Sequence, residues 1–317
     1  MRDPRVRGLL GYAPHAILTD PGALGLVESR VTADIGTTLA RHRPERTSTR
    51  ATVFLHGAAG TWTTWTPLLQ SAAALGVAIE NPVLIDLPGW GAAGVPASTG
   101  PLTVEAYATF VKDTAEALGY TEWDLVGHSL GGSIAMHMAA AWPERVLSVG
   151  VVSATAHTVI RSIDHPLRHA FEMPAFSMLW RVMQAFSPLG ARVTPLLRAL
   201  ERVGVLRLAM APLFRHPFRV PRSLGEALAR EMRPASFVAA VDATRGYDAD
   251  AEWAGIQCPV RAVKGDADVF VTDADFAALS ALLPGNVLVV VPGCGHFGHV
   301  ERPAEVLVAL GFADGVL

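Results

Sequence analysis

The stretch DLVGHSLGGS, residues 124–133, sets a serine among glycines directly after an apolar run. Gly127-His128-Ser129-Leu130-Gly131 fits the pattern Gly-x-Ser-x-Gly, in which a strand turns sharply into a helix and holds a serine oxygen out at the end of the strand. Residues with larger side chains would collide in such a turn, which explains why glycines flank the serine. An ordinary glycine-rich turn has the same pattern, and the rest of the chain must decide whether Ser129 is a nucleophile.

Extended apolar segments alternate with helical patterns along most of the chain. This alternation predicts an α/β fold whose mostly parallel central sheet is covered by helices on both faces. The predicted strands are 51–55, 83–85, 123–126, 146–152, 259–263 and 287–291. The predicted helices lie near 66–75, 103–118, 130–141, 273–282 and 302–311. The helix after Ser129 is expected to end before Pro143, because proline disfavours helical geometry in the residue ahead of it.

Residues 155–235 interrupt the alternation. Prolines divide this interval into several helices without a convincing strand, which favours an inserted helical cap. The chain is therefore predicted to consist of a first core part at 1–154, a cap at 155–235 and a second core part at 236–317. The cap holds twelve arginines, no lysine and five acidic residues, a net charge of +7 against −10 for the remainder.

Composition favours a soluble enzyme of the cytoplasm. The chain has 317 residues, half of them hydrophobic, which is enough for one large core carrying an insertion. Its net charge of −3 gives no overall attraction to nucleic acid, and no nucleic-acid partner is predicted. Two cysteines, Cys258 and Cys294, do not indicate a disulfide framework. Gly11, Pro14 and His15 interrupt the first apolar run, which argues against a secretory signal, and no other run reaches membrane-spanning length.

A serine hydroxyl becomes nucleophilic when a base takes its proton, so the proposed role of Ser129 requires a histidine on a later loop. His296 follows the apolar run VLVVV, and Gly293 and Gly295 let the backbone place it. His299 lies three residues later and is the rival. We favour His296.

The base in turn needs a carboxylate that fixes its tautomer and stabilises its charged form. Asp268 follows the strand PVRAV, beyond the turn at Gly265, and is favoured over Asp266. Asp273 and Asp275 suit the first turn of a helix, where carboxylates are favourable at the positive end of the dipole.

Negative charge that develops on a substrate carbonyl oxygen needs hydrogen-bond donors. An early strand ends with His56-Gly57, after which the backbone N–H of Ala58 can point into the same cavity as Ser129. The N–H of Leu130, directly after the serine, is the second predicted donor.

Together these pieces resemble the α/β-hydrolase superfamily, in the branch that has a helical cap. They extend over roughly residues 30–154 and 236–311, in the order serine, aspartate, histidine. The matching segments are His56-Gly57 with Trp65, Asp86-Leu87-Pro88-Gly89-Trp90-Gly91, Gly127 to Gly132, Gly265-Asp266-Ala267-Asp268, and Gly295-His296 with Glu301 and Pro303.

The resemblance implies a role for each site residue. Ser129 is the implied nucleophile, His296 the general base and then acid, and Asp268 the orienting carboxylate, with Ala58 and Leu130 as oxyanion-hole donors. Haloalkane dehalogenases and epoxide hydrolases of the superfamily use an aspartate nucleophile, so Ser129 argues against both activities. No metal or organic cofactor is implied.

The substrate pocket is predicted from aromatic residues near the site. Phe176 and Trp180 in the cap, near helical spacing with Met183, favour packing against the core, and part of this stripe is expected to roof the pocket. Trp62 and His128 complete the predicted substrate contacts. An apolar acyl or alcohol group is therefore expected, and the arginine-rich cap raises the hypothesis of an additional anionic group.

These interpretations predict a serine hydrolase that cleaves a carboxylic ester, lactone or thioester of a mostly apolar small molecule. The alternatives are a carbon–carbon bond hydrolase of ring-cleavage products, a cofactor-free haloperoxidase or perhydrolase, and, in another class, a non-catalytic small-molecule receptor. His165 and His169 have a spacing that suits a metal, but no third ligand stands out, so no metal site is predicted.

Overall fold

A computed structural model describes residues 10–94, 100–155, 157–169 and 172–313. Its eight strands form one sheet in the order β1-β2-β4-β3-β5-β6-β7-β8. The strands are β1 Val27–Ala33, β2 Gly36–His42, β3 Arg50–Leu55, β4 Pro82–Ile85, β5 Glu122–His128, β6 Val146–Val152, β7 Val260–Gly265 and β8 Val287–Val291. The strands β3 to β8 are parallel and correspond to the six predicted strands, so the predicted fold class is confirmed.

An antiparallel hairpin at one edge of the sheet was not predicted. Strand β1 pairs with β2 from Val27 opposite His42 to Ala33 opposite Gly36, and β2 pairs antiparallel with β4. Only Val31 of β1 is buried, because this strand lies at the edge. Its weak apolar pattern gave no strand signal in the sequence.

Five of the six α-helices described outside the interval between β6 and β7 agree closely with the predicted ones. The six are α1 Thr66–Leu75, α2 Val104–Ala117, α3 Leu130–Ala141, α12 Asp273–Leu282, α13 Gly298–Glu301 and α14 Pro303–Ala309, and the short α13 was not predicted. Helix α3 ends two residues before Pro143, as expected from the restriction that proline places on its neighbour.

Apolar side chains cover both faces of the sheet. One cluster contains α2 and α3 with residues such as Phe110, Ile134 and Trp253. The other packs α1 against α14, around Trp65 and Leu307. The sheet is therefore a rigid layer between two apolar cores, which positions the loops at its edge.

Between β6 and β7 the described residues form helices and contain no strand. These helices are α4 His157–Asp164, α5 Pro166–His169, α6 Pro174–Phe186, α7 Thr194–Arg202, α8 Val205–Ala209, α9 Arg222–Glu231, α10 Pro234–Asp242 and α11 Ala249–Trp253. We call α4 to α9 the cap. The cap boundaries predicted from the sequence, 155 and 235, stay a prediction, and residue 235 lies in the first turn of α10. None of the described helices is long and apolar enough to cross a membrane.

The segment before β1 packs on both the cap and the core. The N–H of Ile17 donates to Ser223 Oγ of α9 at 2.9 Å, and the N–H of Leu18 donates to Thr66 Oγ1 of α1 at 3.0 Å. The N–H of Ala13 donates to the carbonyl of Glu301 at 2.8 Å. Residues 10–18 therefore tie the cap to the core.

Candidate active site

The carboxyl ends of the parallel strands meet at one edge of the sheet, beneath the cap. Loops that follow β3, β5, β7 and β8 carry the candidate site residues to this edge. This is the edge at which open α/β sheets bind ligands. A third apolar cluster joins these loops to the cap through Phe176, Phe270 and Phe297.

Ser129 lies in the sharp turn between β5 and α3. Its φ of 52° and ψ of −121° are strained for a residue with a side chain. A Cβ at Gly127 would lie 2.3 Å from the carbonyl oxygen of Gly131, and a Cβ at Gly131 would lie 2.3 Å from that of Leu55. The glycines are thus required by close backbone contacts, and the turn holds the serine at the end of the strand.

Asp268 and His296 form a buried pair. Asp268 Oδ1 lies 3.0 Å from His296 Nδ1 and accepts the N–H of Phe270 at 2.8 Å. Burial by itself raises the pKa of the Asp268 carboxyl, but His296, the Phe270 N–H and the Ser153 hydroxyl bring it below its ordinary value. The carboxylate is therefore ionised at neutral pH and can stabilise a charged His296.

The rival histidine is differently placed. His299 is fully buried against Trp65, with ring centroids 4.3 Å apart, and neither ring nitrogen has a hydrogen-bond partner among the described residues. Burial and the nearby His296 lower its pKa to about 3. His299 is thus a neutral core residue, and His296 is the histidine that contacts Asp268.

The competing aspartates have other partners. Asp266 accepts the N–H of Cys294 at 3.0 Å and stays exposed. Asp273 pairs with Lys264 at 2.6 Å in the first turn of α12. Asp275 accepts the N–H and the hydroxyl of Thr158, both at 2.8 Å, and so fastens α4 to the core.

The two predicted oxyanion donors both line the cavity that contains Ser129. Among the described residues, no acceptor is bound to the N–H of Ala58 or to that of Leu130. A Cβ at Gly57 would lie 2.8 Å from the Cβ of Ser129, so only glycine lets this loop approach the turn so closely. Both N–H groups are thus available to a ligand in the cavity.

Asp86 fixes the loop that carries Ala58, and its role was not recognised in the sequence. Its buried carboxylate accepts the N–H of Trp62 at 3.0 Å and pairs with Arg41 at 2.5 Å. A Cβ at Gly91, where φ is 52°, would lie 2.3 Å from this carboxylate. The Asp-x-Pro-Gly-x-Gly segment therefore fixes, through Trp62, the loop that also carries Ala58, the first predicted oxyanion donor.

Glu301 fixes the loop that carries His296. This buried carboxylate accepts the N–H groups on both sides of the histidine, that of Gly295 at 3.0 Å and that of Phe297 at 3.2 Å. It also accepts the Tyr12 hydroxyl at 2.7 Å and the N–H of Arg215 at 2.9 Å. The Glu301 carboxylate therefore contacts the His296 loop, the amino-terminal segment and the cap.

A cavity of about 290 Å³ extends from Ser129 and His296 into the cap. Its lining is apolar except for His128, Ser129, Thr155, Thr244 and His296, and no charged side chain of the described residues takes part. In this structure the two catalytic candidates share the cavity without a hydrogen bond between their side chains. Such bonds are often long until a substrate binds.

The predicted substrate contacts are met in part. His128 and Phe176 line the cavity. Trp62 does not, because the turn Trp62–Trp65 directs it into the core beside Arg41, whose guanidinium lies 5.1 Å from the ring centre. Trp180 lies outside the lining as well and stacks on Phe176 at 6.3 Å, so it supports the wall.

Several cavity residues were missed in the sequence. Phe270 follows Asp268 and its ring contacts that of His296. Phe297 directly precedes helix α13 and its ring contacts that of His128. Both residues lie in loops that the sequence analysis had recognised, so they could have been proposed as cavity residues. The cap residues give no such signal, because their positions depend on how the helices pack. Among the described residues no group of three or more His, Cys, Asp or Glu is arranged to hold a metal, and the side chain of His169 lies outside the described part.

Known proteins share this architecture. Pimeloyl-(acyl-carrier protein) methyl ester esterase of Chromobacterium violaceum is 30% identical over 227 residues, 72% of this chain and 81% of that protein. Epoxide hydrolase 4 of Mus musculus is 27% identical over 121 residues, which span 38% of this chain and only 32% of that protein. The solved structure of a membrane phospholipase A, a bacterial virulence factor, superimposes with a TM-score of 0.69 at 23% identity, covering 93% of this chain and 88% of the other.

The profile of the alpha/beta hydrolase family matches residues 52–310. This range contains the strained serine turn, the Asp268–His296 pair and the cavity. The chain belongs to the alpha/beta hydrolase family.

Proposed function

We propose that the protein is a serine hydrolase that cleaves carboxylic esters of apolar acids through an acyl-enzyme on Ser129. The observation that carries the proposal is the buried Asp268–His296 pair, whose histidine lines the same apolar cavity as the strained Ser129. A histidine oriented by a carboxylate beside a serine is the arrangement that activates a hydroxyl for acyl transfer.

In the first step, His296 takes the proton of the Ser129 hydroxyl while Oγ forms a bond to the ester carbonyl carbon. The N–H groups of Ala58 and Leu130 hold the resulting oxyanion. The bond to the leaving oxygen then breaks, and His296 returns the proton to the departing alcohol. Asp268 keeps the imidazole in the required tautomer and stabilises its charged form.

In the second step, water attacks the acyl carbon as His296 takes its proton. The bond between Ser129 Oγ and the acyl carbon breaks, and the proton returns to the serine. The products are a carboxylic acid and the free enzyme. Every proton transfer in this cycle passes through His296, so its loss blocks both steps.

The cavity lining supports an apolar acyl group. Without a charged side chain in the lining, an ionised substrate group would be buried without a partner, which is costly. The cap arginines therefore do not support an anionic group inside the cavity. The same argument disfavours acidic ring-cleavage products, and epoxide hydrolysis lacks its aspartate nucleophile here.

The test is hydrolysis of nitrophenyl esters from acetate to long acyl chains. We expect activity in the wild type and a loss of at least about a thousandfold in kcat/KM for Ser129→Ala and for His296→Ala. Ser280→Ala, an exposed serine on α12, is the matched control and keeps full activity. Full activity in Ser129→Ala, or no turnover of any ester by the wild type, contradicts the proposal.

A further inference from the structure

The outer side of the cap carries an unusual number of exposed apolar side chains. Of the eleven large hydrophobic residues exposed in the described part of the chain, eight lie between 178 and 218. They are Met178, Val182, Leu189, Leu196, Val203, Val205, Leu208 and Phe218. Four of these are more than 60% exposed, so they are not edges of the core.

These residues belong to neighbouring elements. Helix α6 contacts the 3-10 turn Ser187–Val193, that turn contacts α7, α7 contacts α8, and α8 contacts the turn Pro217–Arg219. We call the exposed side of these five elements the cap face. A concentration of exposed apolar side chains on neighbouring elements marks a candidate interaction site.

The cap face is also strongly basic. Between 174 and 219 the chain has seven arginines, one acidic residue, Glu201, and no lysine. The side chains of Arg181, Arg192, Arg198 and Arg202 are exposed and form no ion pair or hydrogen bond with the described residues. Apolar groups and unpaired positive charges are therefore interspersed.

The catalytic cavity opens on this face. Met178, Val182 and Leu196 line the cavity and are exposed at the same time, on the two helices α6 and α7. A route therefore leads from the cap face down to Ser129 along apolar side chains. The mouth of the cavity and the basic apolar face are one surface.

We propose that the cap face docks on an anionic lipid bilayer. Apolar side chains enter the boundary between headgroups and acyl chains, while arginines stay at the level of the anionic phosphates. A second copy of the chain would oppose arginines with arginines in a symmetric contact, which is unfavourable. An acidic protein would match the charge but leave side chains as exposed as Phe218 and Val203 without an apolar partner. The bilayer satisfies both properties, and the proposal does not depend on the reaction at Ser129.

The experiment is vesicle sedimentation with the Ser129→Ala chain, so that no hydrolysis of vesicle lipids at Ser129 can alter the result. Vesicles of phosphatidylcholine alone are compared with vesicles of equal parts phosphatidylcholine and phosphatidylglycerol. We expect tight binding to the anionic vesicles only. Charge reversal by Arg198→Glu with Arg202→Glu is expected to weaken this binding more than about tenfold, since each basic residue near such a surface contributes severalfold.

A second variant tests the apolar part independently. Val203→Ser, Leu208→Ser and Phe218→Ser together remove exposed groups that do not line the cavity, and are expected to weaken binding more than about tenfold. Matched controls lie away from the cap. Arg30→Glu with Arg43→Glu repeats the charge change, and Val27→Ser, Val287→Ser and Val290→Ser together repeat the number of apolar-to-serine changes. Each control is expected to have an effect below about twofold.

Three results overturn the proposal. The first is the absence of binding to anionic vesicles. The second is equal loss of binding in the cap variants and the controls. The third is a concentration-dependent dimer of a chain that does not bind vesicles, if the apolar cap variant dissociates this dimer. A second copy of the chain would then cover the cap face.

Discussion

Glu301 controls the position of His296 although it does not contact the cavity. Its carboxylate accepts the N–H groups of Gly295 and Phe297, and therefore holds the backbone on both sides of the histidine. Burial raises the pKa of Glu301, while the Tyr12 hydroxyl and the N–H groups of Arg215, Gly295 and Phe297 lower it in part. We consider Glu301 a positioning residue for the proposed reaction.

Replacement Glu301→Gln tests this role. The amide NH2 would face N–H donors, so the loop must shift, and a shift of about 1 Å at a catalytic group can cost about a hundredfold in rate. We expect kcat for a nitrophenyl ester to fall tenfold to a hundredfold with little change in KM. Glu305→Gln, four residues later and paired with Arg302 at 3.8 Å, is the control and stays within about twofold. An equal loss in both variants contradicts the positioning role.

At the residue scale, sequence patterns predicted the loops that carry Ser129, Asp268 and His296 better than they predicted the lining of the cavity, while the catalytic roles of these residues stay predictions. Ser129, Asp268 and His296 are predictable because close-packed glycines and strand ends leave few alternatives for their backbone. The prediction for Trp62 failed for a physical reason: closeness in sequence to Gly57 says nothing about side-chain direction, and a 3-10 turn directs this ring into the core. Glu301 was noticed as part of a motif, but two of its partners, Tyr12 and Arg215, come from distant segments.

At the scale of elements, boundaries were predictable where proline, glycine or a capping side chain ends a helix. Helix α12 begins with a capping box formed by Thr272 and Asp275, and its predicted bounds agree with the observed ones. The hairpin β1–β2 was not predictable, because an edge strand needs no regular apolar alternation. The cap helices were recognised as helices, but their packing around the cavity depends on contacts between segments.

Helix α6 contributes several side chains to the cavity wall. Its residues Phe176, Leu179 and Met183 line the cavity that also contains Ser129. We expect Leu179→Trp to lower kcat/KM at least about tenfold for long-chain nitrophenyl esters, since the larger ring narrows the space for the acyl chain, while acetate hydrolysis changes less than about twofold.

Gln184→Trp adds the same ring on the exposed side of α6, outside the cavity lining, and serves as the control. Kinetic measurement over the whole ester series separates the two variants. A uniform loss over all chain lengths in Leu179→Trp, or the same loss in Gln184→Trp, contradicts the assignment of the acyl chain to this part of the cavity.

The whole molecule combines a predictable core with a cap whose placement was not predictable. The amino-terminal residues 10–18 illustrate the difference, because their apolar and polar groups are ordinary in sequence, yet they join Ser223 of the cap to Thr66 and Glu301 of the core. Long-range contacts of this kind have no local pattern. They decide which cap residues reach the cavity and which form the cap face.

Buried histidines give the molecule a defined sensitivity to acid. Burial lowers the pKa of His56, of His128 and of His299, the last to about 3. As pH falls below the unfolded value of about 6.5, the unfolded chain binds protons that the folded chain does not, so the free energy of unfolding decreases. For His299 the loss is about 1.4 kcal/mol per pH unit until the folded pKa is reached.

His299→Leu isolates this contribution, because leucine fills a similar space and removes two buried nitrogens that lack partners among the described residues. We expect urea unfolding to show a pH slope that is smaller by about 1.4 kcal/mol per unit between about pH 6 and pH 5. His165→Leu removes an exposed histidine and is the control. The titration of carboxylates contributes equally to the pH slopes of the wild type and of both variants, so it cancels in the comparison. If His299→Leu keeps the wild-type slope, His299 is protonated in the folded protein at these pH values, and the lowered pKa assigned to it is wrong.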